Sequence, residues 1–406
     1  MYYLFKSNTV ELNQILYSII SVISISLSWS MKASLYILLW KKTESPFLLS
    51  LLTFFDMAPS LLIGIWSSVM VDRLSAPYLL IRTQALSSLM CMALFVCFHV
   101  FPGEIHYIFL IFIINGCIGA LSQPARQAIL SHISGRDGVH RFSSIQGTLF
   151  HLSGLIAMVI TYFAETNAQI GALILLNAAS YIAIVLFLAL RVNAGIQPAA
   201  DLQTHIKSPF AVEVTDAYNY IRTRRELGTS IVLLLIFSTL IRPIFELVPI
   251  LASSFFPDSM PVSKVYITVS FGMLAGSLAS ARWKSLEPSL TIVSLILLFF
   301  CFCMMEISNS LLIKIVFCLI SASLVSFTIT NRVAVLQKLC AMQYIGRVVG
   351  LESVLRRATI AIGVLFYGIC LGSFSFFLLI STSIFIAVIL SWLLLDARIR
   401  KSGVDG

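Results

Sequence analysis

Arg242 and Glu246 stand four residues apart in LIRPIFELVP (Leu240 to Pro249), inside an apolar run that begins near Ile231 and continues to Phe256. A guanidinium is a fixed cation with a planar fork of donors, and a carboxylate can take up and release a proton. Four residues make about one helical turn, so the two side chains can neutralise each other on one face. Pro243 has no N–H and its ring clashes with the carbonyl four residues earlier, which predicts a kink or opening near Thr239. Two readings are open: a structural ion pair, or a proton-exchanging carboxylate beside an arginine that meets an anion. Lys32 and Asp56 are a second candidate pair, at matched depths of about 10 to 14 Å along their helices. The alternative there is a lysine that snorkels outward and an aspartate tied to local packing.

The remaining reactive side chains form no catalytic set. No G-x-S-x-G, no H-E-x-x-H and no phosphate-cradling G-x-x-x-x-G-K-[ST] occurs, and no second deep aspartate accompanies Asp56, which argues against an intramembrane enzyme and an ATP-driven pump. His99, His106 and His151 have no ligand spacing. The eight cysteines, Cys91, Cys97, Cys117, Cys301, Cys303, Cys318, Cys340 and Cys370, contain no C-x-x-C pair and read as small apolar packing residues. Neither a metal nor a cofactor is expected.

Elements that hold charges among apolar residues must solve a solvation problem. The 406 residues are 59% hydrophobic and 11% charged, with mean hydropathy +0.96, far from the composition of a soluble domain. With about 20 apolar residues needed per crossing, the chain reads as an all-α membrane protein of twelve transmembrane helices. They fall at 14–39, 47–70, 79–101, 105–126, 144–165, 169–191, 229–252, 264–283, 289–308, 311–335, 349–372 and 374–395. An ionisable group inside such a bundle costs about 2.5 to 3.5 kcal/mol on insertion scales, so each one is a functional candidate.

The net charge of +9 follows the same plan. Even-numbered connections and both tails hold 21 basic residues, Arg73, Arg126, Arg141, Arg332, Arg347, Arg356 and Arg357 among them, against 4 on the other side, Lys41, Lys42, Lys264 and Lys314. By the positive-inside rule both termini are cytoplasmic, and the excess charge needs no nucleic acid.

A hydrophilic stretch, 192–228, divides six spans (1–191) from six (229–406). Phe210, Val214, Ala217 or Tyr218, and Ile221 recur there at helical spacing, which predicts an amphipathic helix on the inner membrane face. Arg126 and Arg141 recur as Arg332 and Arg347 at an offset of 206, and RQAIL (Arg126 to Leu130) faces RVAVL (Arg332 to Leu336). Parallel half-repeats of this kind are a transporter architecture, with the substrate site between the halves. Gly272 with Gly276 and Gly368 with Gly372 match G-x-x-x-G, read as close packing inside one bundle rather than dimerisation, so a monomer is expected.

These residues resemble the major facilitator superfamily, and within it the branch of the enterobactin exporter, the macrolide efflux permeases and related exporters of siderophores and antibiotics. The resemblance covers essentially the whole chain. It is carried by Thr43 to Gly64, by MVDR (Met70 to Arg73), by ALSQPARQAILSHI (Ala120 to Ile133), by RPIFELVPILA (Arg242 to Ala252), and by Asn331 to Ala358. The chain departs from the family at Ser68, where the loop signature has glycine four residues before Asp72, and in GLIAMVI (Gly154 to Ile160), which lacks the proline of many exporters.

The resemblance implies a secondary transporter of a bacterial inner membrane. Its cargo would be a siderophore, drug or small peptide antibiotic such as a microcin, exported against protons, with resistance or self-immunity as a consequence. Arg242, Glu246, Lys32 and Asp56 would serve cargo binding and proton coupling; Asp72, Arg73, Arg126, Arg141, Arg332 and Arg347 would serve the gating loops. An importer of nutrients or siderophores with the same fold is the alternative.

Overall fold

The structure, a computed structural model, describes residues 2–61, 63, 76–101, 104–164, 166–192, 219–257, 259–282, 289–341 and 344–402. Asp72, Arg73 and residues 193–218, with Phe210, Val214 and Tyr218 of the expected amphipathic helix, lie outside them. The described chain is helical and holds no strand. Its helices are α1 (Tyr2–Thr43), α2 (Pro46–Met57), α3 (Ala76–Val100), α4 (His106–Phe163) and α5 (Asn167–Phe187), the last followed by a π turn, Leu188–Val192. After the linker come α6 (Arg225–Leu240), α7 (Arg242–Glu246), α8 (Val248–Phe255), α9 (Val262–Arg282), α10 (Ser289–Ile307), α11 (Leu311–Leu339), α12 (Ile345–Cys370) and α13 (Phe376–Ser402).

Thirteen named helices make twelve crossings because one helical segment supplies two and three short helices share one. Helix α4 is helical over 58 residues, yet its partners on α1 show that it cannot be a straight rod. Tyr36 meets Phe112 with ring centroids 5.6 Å apart, and Tyr17 shares a core with Ala125, Ile129 and Ile133, so this first part runs antiparallel to α1. Further along, Gln146 Nε2 donates to Ser18 Oγ (2.8 Å) and Thr161 Oγ1 to Ser30 Oγ (3.0 Å), so the second part runs parallel to it. The direction reverses between Ile133 and Gln146, where the sequence places a loop. Conversely, α6, α7 and α8 are pieces of the single span expected at 229–252.

Eight helices are long and apolar enough to cross a bilayer by length and composition, and Pro46–Leu61, Leu149–Phe163 and Glu226–Leu240 are shorter apolar ones. Helix α12 spans 26 residues and carries Arg347, Glu352, Arg356 and Arg357 in its first half. The outward faces of α10 and α13 present Val293, Ile296, Phe300, Phe385, Ile389 and Trp392, each at least 40% exposed, a surface suited to lipid and not to water.

The chain divides into two compact units, residues 1–38 with 58–207, and residues 39–57 with 208–406. In the first, serines of α1 let helices approach closely: Ser26 Oγ donates to Ser153 O (3.1 Å), and Tyr181 Oη of α5 to Ser28 Oγ (3.1 Å). In the second, α9 lies along α11 through Gly272 and Gly276; a Cβ at Gly276 would overlap the Ser323 carbonyl, and Ser323 Oγ donates to Gly272 O (2.8 Å). Helix α2 belongs to this second unit because it packs along α12, where Gly368 faces Ser50. The end of the linker docks here too: Tyr220 stacks on Tyr344 with centroids 4.1 Å apart and its hydroxyl accepts from Ala341 N (2.8 Å), while Ile221 packs against the core of Leu227, Ile231, Leu336, Cys340 and Val348. The eight cysteines are free, and Cys91, Cys301, Cys318 and Cys340 are buried.

Candidate functional site in the broken seventh span

Two prolines break the seventh span into three helices. Helix α6 ends at Leu240, Ile241 adopts φ −107° and ψ −43°, and Ile244 N turns back to Ile241 O (3.2 Å). Leu240 O then accepts from Tyr367 Oη of α12 (3.0 Å). Thr239 O has lost the N–H that Pro243 cannot supply, and α12 covers it with Gly363; a Cβ there would overlap Thr239 O and come within 2.7 Å of Pro243 Cγ. The second break is at Leu247 (φ −97°, ψ 46°), two residues before Pro249. At the far end Lys314 Nζ donates to Phe255 O (2.9 Å), capping α8 with a cation. The opening expected near Thr239 is therefore a pair of breaks that isolate five residues, Arg242 to Glu246, as α7.

The isolated turn carries the charged pair. Arg242 Nε donates to Glu246 Oε1 at 2.8 Å, with side chains 25% and 21% exposed. Arg242 Nη1 also lies 3.6 Å from Met273 Sδ of α9. Glu246 is within electrostatic reach of Tyr266 of α9 and of Arg357 of α12.

A second pair, on α12, is not among the residues that the sequence singles out. Arg356 Nε donates to Glu352 Oε1 at 2.7 Å, and the Glu352 side chain is 1% exposed. Neighbouring Arg357 is half-buried and feels both Asp56, in the last turn of α2, and Glu246. These residues sit about 10 to 18 Å from the start of α12 at 1.5 Å per residue, well inside the helix. Counting Arg356 and Arg357 among loop cations is therefore corrected: the expected span 349–372 itself contains them. The four-residue spacing that draws attention to Arg242 and Glu246 recurs in Glu352 and Arg356 and is the signal that could have found this pair.

Three acids, Asp56, Glu246 and Glu352, and three arginines, Arg242, Arg356 and Arg357, thus lie on α2, α7 and α12 of one unit. Each acidic site is beside a feature that loosens the helix or seals it: Asp56 stands next to the turn that Pro59 disrupts, Glu246 is between two prolines, and Glu352 is fully enclosed. Lys32 belongs to the other unit, where it acts electrostatically on Cys91 and Tyr181.

The gating candidates separate in position. Arg126 Nη2 donates to Gln84 Oε1 of α3 (2.9 Å), and its counterpart Arg332 is 2% exposed within α11, not in a loop. Arg141 and Arg347 lie on the helical backbone of α4 and α12, with side chains outside the described residues.

The fold and the charged bundle can be set beside known proteins. A solved mutant of the nucleoside transporter NupG superposes with TM-score 0.74 at 13% identity, covering 95% of this chain and 99% of that one. A bacterial homolog of the human lysosomal transporter Spinster, inward-facing and unoccupied, gives TM-score 0.66 at 11% identity over 96% and 95%. At such identities the likeness concerns the fold alone. No curated protein matches by sequence. The sequence profile described as Major Facilitator Superfamily matches residues 16–364. With twelve crossings, a broken seventh span and most of its length under that profile, this chain is a membrane transporter and not an enzyme, and it belongs to the Major Facilitator Superfamily.

Proposed function

We propose that the protein is a proton-driven exporter of a small secondary metabolite, a siderophore, drug or small peptide antibiotic, across the inner membrane of a bacterium. It works as a monomer with both termini in the cytoplasm, and export of a toxic product gives its host immunity or resistance. The reading rests on one observation above all: a carboxylate and a guanidinium 2.8 Å apart on a five-residue helix isolated by two proline-associated breaks. Such a turn can reorient without unravelling the rest of the span, because breaks absorb backbone rotation. Protonation of Glu246 removes the charge that holds Arg242, and Arg242 is then available to an anionic group of the cargo. Proton and cargo use one arginine in turn, which is the differential interaction that coupling requires. The enterobactin-exporter and macrolide-permease resemblance of the RPIFELVPILA and QPARQA segments supports the outward direction.

The test measures accumulation of a labelled catecholate siderophore, a macrolide and a small peptide antibiotic in cells expressing the parent, Glu246→Gln or Arg242→Lys at equal levels. Parent cells are expected to exclude one of these until a protonophore is added. Glu246→Gln should keep binding and lose proton-driven export, and Arg242→Lys should weaken binding because the planar fork is lost. Full, pH-dependent export by Glu246→Gln would leave the pair as structure. Inward accumulation driven by the same gradient would replace export by import.

A further inference from the structure

Tyr266 of α9 is buried, at 8% exposure, and its hydroxyl makes no hydrogen bond among the described residues. Buried hydroxyls are normally paired, so one without a partner carries an uncompensated desolvation cost in this state. Its position is specific. Met273, which touches Arg242, lies seven residues further along α9, two turns away on the same face. Tyr266 therefore lies on the α9 face that meets Arg242 through Met273, and Glu246 acts on it electrostatically.

In the closed pair Arg242 holds Glu246 Oε1 at 2.8 Å, and Tyr266 Oη is left over. We infer that Tyr266 is the second partner of Glu246: when the carboxyl is protonated and Arg242 departs, the Tyr266 hydroxyl takes its hydrogen bond, directly or through one water, and holds the neutral acid in place. The one covalent change is the O–H bond formed on Glu246 as a hydronium ion gives up its proton and becomes water; everything else is an exchange of hydrogen-bond partners. The inference rests on the coupling role proposed for Glu246 and adds a positioning residue to it. The hydroxyl is satisfied only in the open state, so it favours that state. Among the described residues, the charged groups that act on Glu246 are Arg242 from its own helix and Arg357 from α12. Both are present in parent and Tyr266→Phe alike, so the variant isolates the hydroxyl.

The experiment is a pH titration of the full-length protein in detergent, without cargo, followed by infrared difference spectroscopy of protonated carboxyl groups. Glu246→Gln identifies the Glu246 band by removing it. In Tyr266→Phe that band should move toward the frequency of a free carboxyl, and its titration midpoint should fall by about 0.5 to 1 pH unit, the worth of one ordinary hydrogen bond. Thermal stability above the midpoint should equal or exceed that of the parent, because the closed state loses only an unpaired hydroxyl. A band that Glu246→Gln removes but whose midpoint and frequency are unchanged in Tyr266→Phe overturns the role of Tyr266 alone. If Glu246→Gln leaves every carboxyl band in place, the coupling reading fails and takes this inference with it.

Discussion

At the scale of residues, the two i, i+4 ion pairs differ in what surrounds them, and that difference sets their expected roles. Arg242 and Glu246 are each about a fifth to a quarter exposed, whereas Glu352 is 1% exposed. Removing one partner of an enclosed pair leaves a charge that nothing compensates, typically at a cost of about 3 to 5 kcal/mol, while removing both is far milder. Glu352→Gln is therefore expected to lower the thermal midpoint and the yield of folded protein sharply, and Glu352→Gln with Arg356→Gln to recover most of both. Equal losses in the single and double variants would show that the pair does not govern stability. Asp56 has two cations to consider, Lys32 from matched depth along the sequence and Arg357 from electrostatic proximity in the structure. Neutralising Asp56 should impair transport, and adding Lys32→Gln should restore part of it. A double variant no better than the worse single one would remove that pairing, and relief by Arg357→Gln in its place would assign Asp56 to α12.

At the scale of elements, the broken seventh span depends on α12 for closure. Its freed carbonyls meet Tyr367 Oη, which donates to Leu240 O, and Gly363, which lets α12 lie against Thr239 O. A methyl group at 363 would meet the Thr239 carbonyl, a backbone atom that cannot swing aside like a flexible side chain. Gly363→Ala should cost about 1 to 3 kcal/mol in stability and reduce transport, by the general penalty of overpacking. A control, Gly350→Ala on the same helix, meets nothing within 4 Å and should be nearly silent. If both behave alike in thermal unfolding, close approach at Gly363 is not what supports the break.

At the scale of the whole molecule, the distribution of basic residues sets the expected orientation. Setting aside Arg332, buried within α11, and Arg356 and Arg357, well inside α12, leaves 18 of the 21 against 4, still a strong bias. Reporter fusions at Lys207 and at the C-terminus should be active only with a cytoplasmic reporter, and a periplasmic signal at either would overturn the expected orientation.

The sequence by itself determined the number and approximate limits of the crossings, because apolar length is a local property that bilayer thickness reads directly. It also determined that Arg242 and Glu246 would meet, since a helical turn fixes that spacing. Tertiary structure decided the rest of the site. That the break at Pro243 is covered depends on α12 offering Tyr367 to Leu240 O and Gly363 to Thr239 O. That Glu352, Arg356 and Arg357 face inward with Asp56 and Glu246 depends on which side of α12 meets α2 and α7. A run of residues does not record the neighbour against which its helix packs, and for charges held inside a bundle that neighbour decides whether a group is solvated, paired or poised to change partners.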